Sequence, residues 1–230
     1  MHLDLQIICD GWKETSHFRK LVKATQQSIC HAISDPAHTS ISFSGGKDSL
    51  VLLHLITSIY PTINVWHWDY GIFMPREFEN AIMANLKQLA PAVNLIYDKR
   101  YSKNPHSASG YQGFYGAINK YTTKKQISLT IIGLRKEESC ARKSRLTRGK
   151  FEKYSKNNTL FFPLADWTWR DIWSYLYIHQ ISYPEIYDLY GPLLGWEKVR
   201  FVTFFDPEFE FLGGPNLDKF FLYEMRNQYV

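Results

Sequence analysis

The sequence has little cysteine: three residues in 230, Cys9, Cys30 and Cys140. Their number is odd, their spacings are wide and no CxxC pair occurs, which argues against a disulfide framework, a zinc ribbon or a self-contained iron–sulfur site. Glycine (13) and proline (10) are modest, there is no low-complexity run, and charged residues make up 21%, which argues against disorder. No apolar stretch approaches the roughly 20 residues of a membrane helix. The start, Met1 to Asp10, has neither the basic region nor the apolar core of a signal peptide. These absences predict a cytoplasmic protein with no membrane association.

What is present is a core. A hydrophobic content of 45% over 230 residues can fill the interior of one domain. The formal net charge of +5 is concentrated. Residues 135 to 156 hold nine Lys or Arg against three Glu, a net of +6, so the rest of the chain sums to −1. One local excess suits a polyphosphate or another anionic substrate at one site better than a surface coated for nucleic acid. Nucleic-acid binding through 135–156 is the alternative use of the same charge.

Hydrophobic spacing predicts a helix over 16–33 and a strand at Thr39–Phe43 that runs through Ser44-Gly45-Gly46 into a buried helix around Leu50–Ile56. The alternation continues with strands at 63–68, 93–97, 129–133 and 159–164, and helices at 76–89, near 113–124 and at 168–180. Strands alternating with helices imply right-handed crossovers and a mostly parallel, doubly wound sheet of five strands with helices on both faces. The main domain is expected over 1–190, with 191–230 as a small C-terminal extension packing on it. Phe201, Phe204, Phe205, Phe220 and Phe221 there suit a core, a homodimer interface or a partner surface.

A glycine turn between a strand and a helix aims backbone N–H groups and the helix's positive end at one point, where anions bind. Gly45 and Gly46 let backbone approach a phosphate, Ser44 and Ser49 add hydroxyls, and Lys47 supplies a mobile positive charge. The loop is not a Walker A sequence, because Asp48 follows the lysine, and no GxGxxG occurs. Ser44-Gly45-Gly46-Lys47-Asp48-Ser49 resembles the SGGxDS signature of the PP-loop ATP pyrophosphatases. That resemblance implies an adenine nucleotide alpha hydrolase-like fold, ATP as ligand, and cleavage between its α and β phosphates.

Asp69-Tyr70-Gly71, followed by Phe73-Met74-Pro75-Arg76-Glu77, resembles the DTG and FPET elements of the phosphoadenosine-phosphosulfate (PAPS) reductase branch, with Tyr70 and Arg76 as departures. Gly133-Leu134-Arg135-Lys136-Glu137-Glu138-Ser139-Cys140-Ala141-Arg142 is similar to that branch's GxRxxES-xx-R element. It implies Arg135 and Arg142 as phosphate or sulfate contacts, and planar guanidinium groups suit that task. Pro163-Leu164 through Trp173, and Tyr183 through Asp188, resemble two further elements. There Trp169, Ile172, Trp173 and Leu176 read as core, with Asp166 or Thr168 as helix cap.

The resemblance thus implies Lys47, Asp48, Arg135 and Arg142 as catalytic residues and Ser44, Gly45, Gly46, Ser49, Asp69, Gly71 and Gly133 as nucleotide contacts. Asp48 and Asp69 are expected to assist Mg2+, with ATP as the bound nucleotide and no iron–sulfur cluster. The branch's reductases carry a nucleophilic cysteine in a C-terminal ECGLH motif. These residues hold no cysteine beyond Cys140, so the expected reaction is adenylyl transfer with release of pyrophosphate. Its acceptor belongs to sulfur metabolism or to nucleic-acid sulfur modification, with a sulfur-donor or sulfur-modification protein as partner. A sulfonucleotide reductase, an ATP sulfurylase small-subunit-like protein and a non-catalytic nucleotide-binding subunit are the alternatives.

Overall fold

The computed structural model describes residues 3–69, 71, 76–99 and 111–199. In chain order the elements are α1 (Leu3–Lys13), α2 (Ser16–Ala32), β1 (Thr39–Phe43), α3 (Lys47–Thr57), β2 (Asn64–Asp69), α4 (Arg76–Leu89) and β3 (Asn94–Lys99). They continue with α5 (Tyr111–Lys124), β4 (Leu129–Ile132), α6 (Cys140–Thr147), β5 (Phe151–Lys153), β6 (Thr159–Phe161), α7 (Trp169–Ile178) and α8 (Ile186–Leu194). Tyr70, Phe73, Met74, Pro75 and the extension from 200 onward, including Phe201, Phe204, Phe205, Phe220 and Phe221, lie outside the described residues.

The strands form one sheet in the order β3-β2-β1-β4-β6-β5, parallel except for the β5–β6 pair. The chain builds outward from β1 through β2 to β3 and then crosses back to β4, so the order reverses between β1 and β4. Ligands of doubly wound sheets bind at that switch, beyond the carboxyl ends of the strands. Six strands replace the five expected. The extra one, β5, spans three residues inside the basic segment, too few for its alternation to register as a strand signal.

Side-chain alternation along β2 shows how both faces are covered. Trp66 and Trp68 pack on Phe114 of α5, with ring centroids 5.2 and 5.7 Å apart, while His67 between them meets Glu79 of α4. Every residue of β2 is buried. Helix α3 is also apolar nearly all round: Leu50, Val51, Leu52, Leu53, Leu55 and Ile56 are fully buried. At about 1.5–3 kcal/mol for each such side chain, the helix behind the glycine turn is anchored by on the order of 10 kcal/mol.

Three features had weak local signals. Helix α1 buries Leu5 and Cys9 but exposes Leu3 and Ile7 by 67% and 64%, which blurs its apolar periodicity. Trp12 ties it to α7 through a 2.8 Å bond from Nε1 to Asp171. Thr168, not Asp166, caps α7, in a reciprocal capping box with Asp171. Beyond α8 the described chain folds back: a Cβ on Gly191 would lie 2.3 Å from the Trp196 ring, and Trp173 Nε1 donates to the Trp196 carbonyl at 3.2 Å.

Candidate functional site

β1 ends at Phe43 and the chain must turn sharply into α3. Gly45 makes the turn at φ +78°, a left-handed conformation that costs an L-residue about 1–2 kcal/mol. A Cβ there would also stand 2.6 Å from Cγ2 of Ile82, so α4 closes the loop from behind. Gly133 serves a different need. A Cβ on it would come within 3.2 Å of the Asp48 carbonyl oxygen, because the end of β4 presses on the first turn of α3.

Gly46 is the N-cap of α3 and supplies no side chain to cap it. The first intrahelical bond runs from Leu50 N to Gly46 O at 3.0 Å, so the amides of Lys47, Asp48 and Ser49 have no helix carbonyl to meet. The Lys47 amide donates to the Tyr187 hydroxyl at 3.1 Å. Those of Asp48 and Ser49 stand at the positive end of the helix, where an anion is favoured. Ser44 Oγ donates to Ser49 Oγ at 3.2 Å, and Ser49 Oγ to the Gly46 carbonyl at 2.8 Å. Hydroxyl hydrogens rotate, so both serines can re-aim towards a phosphate.

The charged residues are bonded to one another. Lys47 is not a mobile charge: its side chain is 1% exposed, and Nζ donates to the Val199 carbonyl at 2.8 Å and pairs with Asp48 Oδ2 at 3.2 Å. Burial pushes its pKa down, with Asp48 pulling the other way. Arg135, equally buried, pairs through Nε with Asp48 Oδ1 and through a terminal nitrogen with Glu137 at 2.8 Å. Burial disfavours its charge, but Asp48 and Glu138 raise its pKa overall. Burial likewise works against the Asp48 carboxylate, and the Arg135 and Lys47 cations overcome it, holding the group down at about 2. Lys47, Asp48 and Arg135 are therefore an ionic clamp between α3 and the loop after β4. Arg142, on α6, pairs with Glu138, whose carboxylate also accepts the Arg135 amide at 2.8 Å.

Asp69 and Gly71 form a cluster of their own at the end of β2. Asp69 accepts from Gly71 N (2.8 Å), from both terminal nitrogens of Arg76 (2.8 and 2.9 Å) and from the Tyr97 hydroxyl (2.6 Å). Burial raises its pKa, and the Arg76 and Tyr97 hydrogen bonds outweigh that, leaving it lowered. Both oxygens are filled. Asp48 and Asp69, expected to assist Mg2+, each face cations or N–H and O–H donors in this arrangement. Among the described residues no group of three or more His, Cys, Asp or Glu converges as a metal site.

Composition gave no sign of three further groups. Buried His67 bridges Phe43 O (2.9 Å) and Glu79 Oε1 (3.0 Å), and since a carbonyl only accepts, Nδ1 carries a proton. Glu79 Oε2 is buried with no hydrogen-bond partner among the described residues. Tyr187 reaches the loop from α8, 140 residues away in sequence, and its ring lies 5.3 Å from the Lys47 ammonium. Only its place in the tyrosine-rich element after α7 hinted at importance.

A glycine turn, a helix start without a side-chain cap and a strand-order reversal together make a doubly wound α/β fold of the adenine nucleotide alpha hydrolase-like kind. Comparison with known proteins narrows this: residues 38–214 match the phosphoadenosine phosphosulfate reductase domain, and the chain belongs to that family. It is 27% identical over 191 residues to a phosphoadenosine 5'-phosphosulfate reductase of Xylella fastidiosa strain M23, covering 76% of this chain and 78% of that one. It is 26% identical over 170 residues to an adenosine 5'-phosphosulfate reductase of Bacillus cereus strain AH820, covering 67% and 70%. A crystal structure of PAPS reductase from Candida auris superposes with a TM-score of 0.54 at 13% identity, over 82% of this chain and 92% of that one.

Proposed function

We propose that the chain binds an adenine nucleotide across the β1/β4 switch and cleaves it at the α-phosphate, passing AMP to an acceptor and releasing pyrophosphate. The observation that carries this reading is the uncapped start of α3, where the Asp48 and Ser49 amides meet no helix carbonyl beside the Gly45 turn. A departing pyrophosphate is the anion that such a cradle suits. The acceptor oxygen forms a bond to the α-phosphorus, the bond to the bridging oxygen breaks, and pyrophosphate leaves with the electron pair. Ser44 and Ser49 hydroxyls hold its oxygens. Arg142, partly exposed at the same sheet end, neutralises charge on the α-phosphate. Lys47, Asp48 and Arg135 position the cradle rather than touch the nucleotide. Magnesium enters with ATP as substrate, and no step is assigned to a protein-held ion. The acceptor is a compound of sulfur metabolism or a nucleic acid undergoing sulfur modification, with a sulfur-donor protein as partner.

A second reading, sulfonucleotide reduction, is favoured by the relatives, which are named for PAPS and APS. It needs a thiol. Cys140, exposed at the first position of α6, is the described thiol next to the arginine element. The test is to supply purified protein with Mg-ATP and, separately, with PAPS and APS plus a dithiol reductant. Pyrophosphate and AMP from ATP uphold the first reading. Sulfite from PAPS or APS, lost in Cys140→Ser and without pyrophosphate from ATP, replaces it with the second.

A further inference from the structure

The positive charge of this chain extends well beyond the cradle. Residues 111–161 hold twelve Lys or Arg and three acids, a net of +9 in a chain whose total is +5. All three acids are taken: Glu137 by Arg135, Glu138 by Arg142, and Glu152 by Arg145 through two bonds of 2.6 and 3.0 Å. Lys136 and Lys150 share Asp166. That leaves Lys120, Lys124, Lys125, Lys143, Arg148, Lys153 and Lys156, all exposed and without an ion pair among the described residues.

The fold arranges several of these along one border. β5 is the edge strand of the sheet and carries Lys153, with Arg148 just ahead of it. The turn that follows, closed by the amides of Tyr154 and Ser155 on the Asn158 carbonyl at 3.1 Å, carries Lys156. Thr159 N donates to the Ser128 carbonyl at 2.9 Å, and the Tyr154 hydroxyl to Asn119 Oδ1 at 3.1 Å. These two bonds hold the turn against the last turns of α5 and the residues after it, where Lys120, Lys124 and Lys125 stand. A basic track therefore runs from Arg148 along β5 to Lys156 and on to Lys124 and Lys125. Phe151 shares with Lys153 the face of β5 turned away from α5, 55% exposed, with its ring stacked on Phe161 at 4.5 Å and 11°, so that a strand touching both it and the α5 lysines passes round the sheet edge.

Lysines on an edge strand commonly serve to prevent edge-to-edge pairing. That explains Lys153. It explains neither the lysines of α5 nor an exposed phenyl ring, which is what such protection avoids. Unopposed cations along an edge with an open aromatic face among them match single strands, whose phosphates need counter-charge and whose unpaired bases need a stacking surface. A duplex hides its base faces, and a charged membrane offers none.

We propose that single-stranded nucleic acid wraps round this sheet edge, with phosphates on Arg148, Lys156, Lys124 and Lys125 on one side and on Lys153 on the other, where a base stacks on Phe151. None of these residues belongs to the nucleotide cradle, so the inference stands apart from the reaction proposed there. The test is fluorescence anisotropy with labelled 20-nucleotide oligo-dT and oligo-U, a 20-base-pair duplex, and phosphatidylserine vesicles, each from 50 to 300 mM NaCl.

Binding of either single strand is expected, weakening as salt rises. In a variant with Lys124, Lys125, Lys153 and Lys156 each changed to Gln, the log–log salt slope should fall by up to about 3, at roughly 0.7 per phosphate contact. Phe151→Ala should weaken binding by roughly fivefold or more. Phe151→Leu, which keeps an apolar contact with Phe161, should weaken it similarly with an unchanged melting temperature. Tighter binding of oligo-U than oligo-dT, or the reverse, identifies RNA or DNA as the preferred strand and supports the proposal either way. No binding of single strands at 50 mM NaCl, or an unchanged slope in the Gln variant, overturns it. So does duplex or vesicle binding equal to that of single strands together with an unaffected Phe151→Ala.

Discussion

The ends of β1 and β2 lie side by side in the sheet and are finished in opposite ways. After β1 the chain turns through Gly45 into a helix whose first amides have no helix carbonyl and whose two serine hydroxyls bond mainly to each other and to the loop. After β2 the one carboxylate, Asp69, already accepts four hydrogen bonds from described residues. One loop is left open to an anion; the other is tied off by Arg76 and Tyr97. Residue type alone places both among binding sites, and it is the state of their partners that separates them.

The comparison breaks most readily at the clamp that supports the open loop. Arg135→Met leaves Asp48 buried beside Lys47 with half its counter-charge gone, and removing one partner of a buried pair costs about 3–5 kcal/mol. Urea unfolding should show a loss of that size, and Arg76→Met should show less, because the Arg76 side chain is 45% exposed and buried Asp69 keeps the Gly71 amide and the Tyr97 hydroxyl as donors. Equal losses would make the two clusters alike.

Gly45→Ala is expected to come next. The left-handed φ and the 2.6 Å approach to Ile82 together cost about 2–4 kcal/mol. Ile82 is itself buried, so the comparison is a cycle: in an Ile82→Ala background the collision is gone and calorimetric melting should show Gly45→Ala costing only its backbone strain, about 1–2 kcal/mol.

The clamp also predicts a pH dependence. Asp48 is held at about 2, below its ordinary value of 3.8. Its contribution is complete above the ordinary value and is lost as pH falls through about 2, a change of about 2 kcal/mol. Unfolding free energy followed from pH 5 to 1.5 should fall less steeply in Asp48→Asn than in the unmodified chain.

The smallest effect belongs to Tyr187→Phe. It removes the acceptor of the Lys47 amide, worth about 1 kcal/mol of stability. The same change frees a third amide at the start of α3, so pyrophosphate affinity should hold or rise while stability falls. A loss of both would place Tyr187 in the binding surface itself.

The sheet and its order of elements were legible because periodicity survives in β1, α3, α4 and α7, where one face or all faces are apolar. The turn at Ser44–Ser49 was legible because its glycines have few other reasons to stand between a strand and a buried helix. The partners were not. Lys47 reads as a phosphate ligand until neighbouring Asp48 and the Val199 carbonyl, 152 residues away, are seen to hold it. Arg135 and Asp48 are 87 residues apart, and nothing local to either signals their pairing. β5 escaped because three residues are too short for a pattern, and α1 because it exposes as much apolar surface as it hides.

The most direct measurement is a titration of nitrogen-15-labelled protein with pyrophosphate, followed through amide resonances. An open cradle at β1 predicts saturable shifts at Gly45, Gly46, Asp48 and Ser49, with Gly71 and the residues around Asp69 unmoved. Shifts centred on Gly71, or none at the start of α3, would contradict it.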